Sequence, residues 1–410
     1  MTMDRYAEDR IANWLQSIAP DRIPEHVLPA AFERTRRLPQ VSRRRRWTSL
    51  ASRSASIAFA TGALALVVVV VGGTVGGLGG LGGQTGDANR PLGVQFGNTA
   101  QISGQWTSSS DIAFSVQFAK PEDEHLYWRA AVYDEYDLTA WRQSITAGYD
   151  VAPGDDMLRN TADAVTEAGR RTDTFTVFPE AFGESTVLSP SALSQVDTPV
   201  RVSYVDEARF VAGVDRSGDE PYTATALVRD RGDDGPSGIT VSKLRAAGTV
   251  YPTAVTERYL QVPPGAIPDG GAAEQLLADI LAATPDPDNP YDVASTVVDY
   301  LQSPANFTYD TDVRNLACEG LSTVECFAQF KRGYCQHYAT TMAILLRQQG
   351  IPTRLVAGFL PGRRDAWLNE TVTFSAAHTW VEVYFPGYGW VEFDPTGGRV
   401  AAMEPLPTGS

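Results

Sequence analysis

At 410 residues with 43% hydrophobic side chains, the chain is long enough for two folded units and too apolar for wholesale disorder. Its net charge of −15 is unevenly spread: residues 1–54 hold eleven Arg against six Asp or Glu, which leaves the remainder strongly acidic. An acidic body excludes nucleic acid as the main partner, because a phosphate backbone calls for a basic footprint.

Residues 1–54 read as a short cytoplasmic region with amphipathic helices near 5–18 and 29–37. No charge occurs from Ser54 to Gly86, and Ile57–Val75 is a dense apolar run. Nineteen residues at helical rise reach about 28 Å, close to the hydrocarbon thickness of a bilayer. Arg43–Arg46 and Arg53 precede this run and Asp87 follows it. The positive-inside rule then puts the N-terminus in the cytoplasm and the rest outside the membrane. A cleaved signal peptide is the competing reading; the long polar stretch before the run, and the lack of a prompt A-x-A site after it, weigh against that. The expectation is therefore one transmembrane helix with a Gly-rich exit over 55–83 and a linker over 84–110.

Residues 111–250 read as a β-rich, sandwich-like extracytoplasmic domain. Ile112, Phe114, Val116 and Phe118 alternate with polar or small neighbours, as a half-buried strand requires. Similar short runs recur at 126–133, 174–178, 200–205 and 222–228, separated by Gly, Asp and Pro clusters. From about 251 to 400 the texture changes to α+β. Ala272–Ala283 and Tyr291–Leu301 have helical spacing, and Pro285, Pro287 and Pro290 interrupt the chain between them.

The chemistry concentrates in this last region. After Gly333 and Tyr334, the apolar positions Tyr338, Met342, Leu345 and Leu346 predict a helix beginning near Cys335 and ending near Gly350, with Pro352 beyond. At a helix start, free N–H groups and the helix dipole favour a thiolate, and Gly333 would let a substrate approach. A base must come from elsewhere. Of the four histidines, His26 lies across the expected membrane, His125 in the other domain, and His337 at i+2 from Cys335, where side chains do not face each other. His378 remains. It opens a strand to Phe385, followed by a turn and a second strand ending in Phe393-Asp394-Pro395. With a loop at Gly387–Gly389, His378 and Asp394 share one face but are offset, so a bulge or longer loop is expected to bring them together. Glu382 and Glu392 are the alternatives to Asp394. An inert buried Cys335 and a turn-capping Asp394 are the non-catalytic readings, as is a core role for Trp380 and Trp390. Cys318 and Cys326, eight apart, are either a disulfide or two free thiols. No metal or cofactor is implied, since no Cys/His cluster has zinc spacing.

The ordered set Gly-x-Cys, His-x-Trp and Phe-Asp-Pro-Thr resembles the transglutaminase-like superfamily, specifically bacterial membrane-anchored proteins of the TgpA type. The likeness is dense over 255–397, including 347–362 (RQQGIPTRLVAGFLPG), 378–396 (HTWVEVYFPGYGWVEFDPT) and 300–310 (YLQSPANFTYD). The segment 127–142 resembles the β domain that precedes the catalytic core in that group. The resemblance implies a papain-like core, a cysteine-bearing helix packed on an antiparallel sheet. It also implies a catalytic triad of Cys335, His378 and Asp394 and a thioester intermediate. The expected partner is a protein or peptide substrate at the cell surface. A thiol protease or peptide amidohydrolase of the envelope, and a non-catalytic binding or signalling module, are the alternatives. The Cys335 N–H is expected as one oxyanion donor, with an aromatic near Phe307–Tyr309 as a candidate second.

Overall fold

The computed structural model describes residues 96–398, except for short stretches at 103–104, 106–108, 121–123, 160, 164–168, 183–184, 208, 231–237 and 367–368. The expected cytoplasmic region and membrane helix lie outside the described residues. Among the described residues no helix is long and apolar enough to cross a membrane.

Two large sheets organise the described chain. The first has six strands in the order Arg363–Arg364, Glu370–Thr373, Ile112–Phe118, Arg170–Pro179, Tyr222–Arg229 and Ala192–Val196, antiparallel throughout. Alternation works as the sequence predicts: Tyr222, Ala224, Ala226 and Val228 are buried while the residues between them are half-buried. Ile112 departs from the expectation, standing exposed at the sheet's end. The inner face shares a core with a three-stranded sheet built from Phe210–Arg216, Val200–Val205 and Ile145–Val151. That pairing of sheets gives the region its sandwich-like character.

The second large sheet orders Gly389–Phe393, Ala377–Phe385, Thr353–Phe359 and Trp128–Tyr133, again antiparallel. The helix Cys335–Gln348 packs on it, buried from Cys335 to Arg347. Met342, Ile344, Leu345 and Leu346 meet Leu355, Val381, Val383 and Phe385 of the strands in one core. Helices Ala272–Ala283, Pro290–Gln302 and Thr323–Phe330 cover the other side. A helix enclosed on all sides loses its polar face. Pro290 does not break the chain as the sequence suggests. It is the first residue of its helix, where a missing N–H costs nothing, and Asn289 caps it by accepting from the Tyr291 and Asp292 amides. The cysteine helix stops at Gln348, and Gly350, with φ of 73°, reverses the chain.

The expected boundary near residue 250 is not respected by the sheets. Trp128–Tyr133, read as part of the first domain, is the edge strand of the second sheet. Glu370–Thr373, read as part of the catalytic region, pairs with Ile112–Phe118 in the first. Strand pairing across more than 200 residues leaves no local signature, so composition alone divides the chain where the topology interleaves it.

Candidate active site

The cysteine helix begins as its sequence demands. Tyr334 is extended, and its carbonyl accepts from the His337 N–H at 2.8 Å, closing the first turn. Gly333 has a packing reason that the sequence does not show. A Cβ there would lie 2.7 Å from the His337 Cβ and 2.9 Å from the Phe327 ring, so packing beneath the helix requires the glycine. His337 turns into that packing, its Nδ1 receiving the Tyr334 N–H at 3.5 Å. Burial without a carboxylate partner pushes its pKa down to about 4. It is a neutral structural side chain.

Cys318 and Cys326 form a disulfide with Cα atoms 5.4 Å apart, which leaves Cys335 as the free thiol. Cys335 is fully buried, grouped with Val313 and Tyr334 and bordered by Tyr309 and Leu316.

His378 and Asp394 meet across the hairpin. Glu382 faces Glu392 and Phe385 faces Gly389, so the loop is Pro386, Gly387 and Tyr388, one residue earlier than expected. Extended along the strands, this unbroken register makes His378 and Asp394 diagonal neighbours. Neither a bulge nor a longer loop is needed. Diagonal positions lie about 7–8 Å apart, within reach of two side chains, and His378 Nε2 lies 2.8 Å from Asp394 Oδ2. Asp394 Oδ1 accepts the Thr396 N–H at 2.9 Å, a local turn of the kind aspartate makes two residues on. Tyr127 donates its hydroxyl to Oδ2 at 2.9 Å. Gln302 holds the Asp394 carbonyl at 2.8 Å.

The electrostatics follow from this enclosure. Burial pulls the His378 imidazolium down, but the Asp394 carboxylate outweighs it, and the Cys335 thiol adds to the rise, leaving His378 at about 9. Burial works against the Asp394 charge too, yet His378 and the Thr396 donors hold its carboxyl below the usual range. With Nε2 committed to Asp394, the buried Nδ1 has no conventional hydrogen-bond partner.

The other sequence candidates are engaged elsewhere. Glu382 pairs with Arg354 at 2.6 Å and Arg129 at 3.4 Å, and Glu392 approaches Arg229 at 3.8 Å. His125 is exposed, and His26 lies outside the described residues. Phe307 stacks on Phe327 in the core, whereas Tyr309 borders the cysteine. Trp380 packs edge-on against Tyr127 at 5.2 Å, and Trp390 receives the Arg354 guanidinium over its ring at 4.1 Å. Tyr127 and Gln302 were not legible as site residues: a hydroxyl 267 residues from its acceptor carries no sequence signal. Among the described residues no group of His, Cys, Asp and Glu is arranged to hold a metal ion. A surface cleft of about 300 Å³, lined by Glu135, Asp137, Arg142 and neighbours, includes none of Cys335, His378 or Asp394.

Comparison with known proteins bears on both halves. The family model for the transglutaminase-like superfamily matches residues 277–395, and that for the TgpA N-terminal domain matches residues 16–233. The uncharacterized protein YebA of Bacillus subtilis is 38% identical over 149 residues, covering 35% of this chain and 19% of that protein. A protein-glutamine gamma-glutamyltransferase of Pseudomonas aeruginosa is 43% identical over 67 residues, 16% of this chain and 10% of that one. The chain thus spans a fifth or less of these relatives' lengths. The crystal structure of the periplasmic domain of TgpA from Pseudomonas aeruginosa is similar in fold, with a TM-score of 0.51 and 23% identity, covering 74% of this chain and 94% of that one.

Proposed function

The chain belongs to the TgpA N-terminal domain family and carries a transglutaminase-like segment, and from that premise we propose that it is a membrane-anchored cysteine acyltransferase acting on protein or peptide carboxamides. The observation that carries this reading is the pairing at His378. One ring nitrogen is bound to a buried carboxylate at 2.8 Å, and the other is left for the thiol at the helix start.

In this mechanism His378 takes the Cys335 proton, giving a thiolate–imidazolium pair that Asp394 stabilises and orients. A pKa of about 9 keeps the imidazolium populated at neutral pH. The thiolate adds to the carboxamide carbon, and the Cys335 N–H is the proposed donor to the oxyanion. His378 then protonates the nitrogen, ammonia leaves and a thioester remains. A primary amine that displaces sulfur gives a new amide; water in its place gives a carboxylic acid. Cys335 has no accessible surface, so side chains packed around it have to shift for a substrate to enter.

The chain's Ile57–Val75 run would anchor the protein, with the catalytic residues outside the membrane. A relative known by the periplasmic domain of TgpA supports that side. Protease added to intact cells should remove the region after Gly86; full protection would overturn this orientation.

The enzyme reading is tested by incorporation of a fluorescent primary amine into a glutamine peptide, with and without added amine to separate transfer from hydrolysis. Cys335→Ala should abolish both products while the protein keeps its thermal transition. Wild-type protein that yields neither product, and whose Cys335 resists iodoacetamide, would favour a binding module instead.

A further inference from the structure

Tyr127 stands outside the segment matched to the transglutaminase-like superfamily and inside the one matched to the TgpA N-terminal domain. Its hydroxyl nonetheless reaches Asp394 Oδ2 at 2.9 Å, the same oxygen that binds His378 Nε2. The ring is buried and lies edge-on to both His378, at 6.2 Å, and Trp380, at 5.2 Å.

The second sheet accounts for this placement. Trp128 faces Phe359, Arg129 faces Gly358, and Gly358 faces His378 on its other side. Only the Gly358 strand separates the two, and a register shift between Ala357 and Gly358 skips Ala130 in the facing strand. A Cβ on Gly358 would lie 1.9 Å from the Trp128 carbonyl oxygen, so this close approach depends on the glycine.

We propose that Tyr127 is a positioning residue of the Cys335 site, supplied by the N-terminal half, which fixes the Asp394 carboxylate so that Oδ2 stays on His378. The Thr396 N–H binds Oδ1, and His378 with Tyr127 binds Oδ2. Thr396 alone would let the buried carboxylate pivot about its Oδ1 contact. A second donor on Oδ2 removes that freedom and shares the charge His378 would otherwise hold alone. The inference rests on the catalytic reading of the site.

The test uses the full-length chain as wild type, Tyr127→Phe and Tyr127→Ala. The readouts are amine incorporation and the pH dependence of Cys335 labelling by iodoacetamide. The titratable groups that act on or border His378 are Asp394, Cys335 and Tyr127. Tyr127→Phe keeps the ring and removes only the hydroxyl. It should still unfold cooperatively, with a lowered melting temperature, keep its KM and lower kcat roughly tenfold, the scale of one hydrogen bond to a charged group. The alkaline limb of labelling, set by His378 near pH 9, should move upward, because a carboxylate with one donor fewer holds the imidazolium proton more tightly. A Tyr127→Phe protein identical to wild type in both readouts, with only Tyr127→Ala impaired, would overturn the proposal and leave ring packing as the sole role. If wild type transfers no amine, the catalytic reading fails separately, and the labelling profile still decides Tyr127.

Discussion

His337 and His378 are both buried, yet burial takes the first down to about 4 while the second stands at about 9. Desolvation disfavours the charged ring in each case, so the partner makes the difference: a backbone amide for His337, a carboxylate for His378. Asp394→Asn therefore should drop His378 below its ordinary 6.5 and cut amine incorporation by roughly a thousandfold or more, as loss of the orienting acid does in such triads. The pH profile of Cys335 labelling checks the first outcome and turnover the second. The sign for stability follows by linkage. A raised His378 contributes stability that is full below about 6.5 and is lost as pH rises through about 9. A depressed Asp394 contributes above the usual carboxylate range and is lost on acidification. Wild-type melting temperature should consequently fall between pH 7 and 10 by more than that of Asp394→Asn. Equal slopes would show that the pair contributes nothing to this dependence.

Two glycines show how elements come close enough to make the site. Gly333 clears the way for His337 and Phe327 under the helix start, and Gly358 lets its strand touch the Trp128 carbonyl. Gly333 is visible in the sequence as part of a motif, whereas its packing against His337 and Phe327 is not. Gly358 carried no signal, since the strand it approaches lies far back in the chain. Gly358→Ala should separate the Trp128–Tyr133 strand from its neighbour. The contact is with backbone, which cannot rotate away, so a loss of about 3 kcal/mol or more is expected. Denaturant unfolding measures it. A loss under about 1 kcal/mol would mean that the two strands shift without cost.

Across the whole molecule, the halves are joined by charges as well as strands. Asp163 approaches Arg354 at 3.6 Å, Arg129 reaches Glu382 at 3.4 Å, Arg229 approaches Glu392 at 3.8 Å, and Arg170 donates to the Trp390 carbonyl. The three ion pairs are buried or nearly so, and removing one partner leaves the other charge stranded. A fragment of residues 251–398 would therefore expose the Thr353–Phe359 edge and uncover Arg354, Glu382 and Asp394 together. It should lack a cooperative thermal transition that residues 96–398 retain. Circular dichroism on both would decide it, and cooperative melting of the shorter piece would restore the boundary near 250.

The sequence by itself determined what is local: a helix beginning at Cys335, its stop before Gly350, and a hairpin leading from His378 to Asp394. Periodicity and turn chemistry act over a few residues. Tertiary structure alone decided that Trp128–Tyr133 completes the sheet carrying His378, that Tyr127 and Gln302 hold Asp394, and that Cys318 joins Cys326. These depend on where distant segments meet, which is set by burial of the whole chain rather than by any stretch of it.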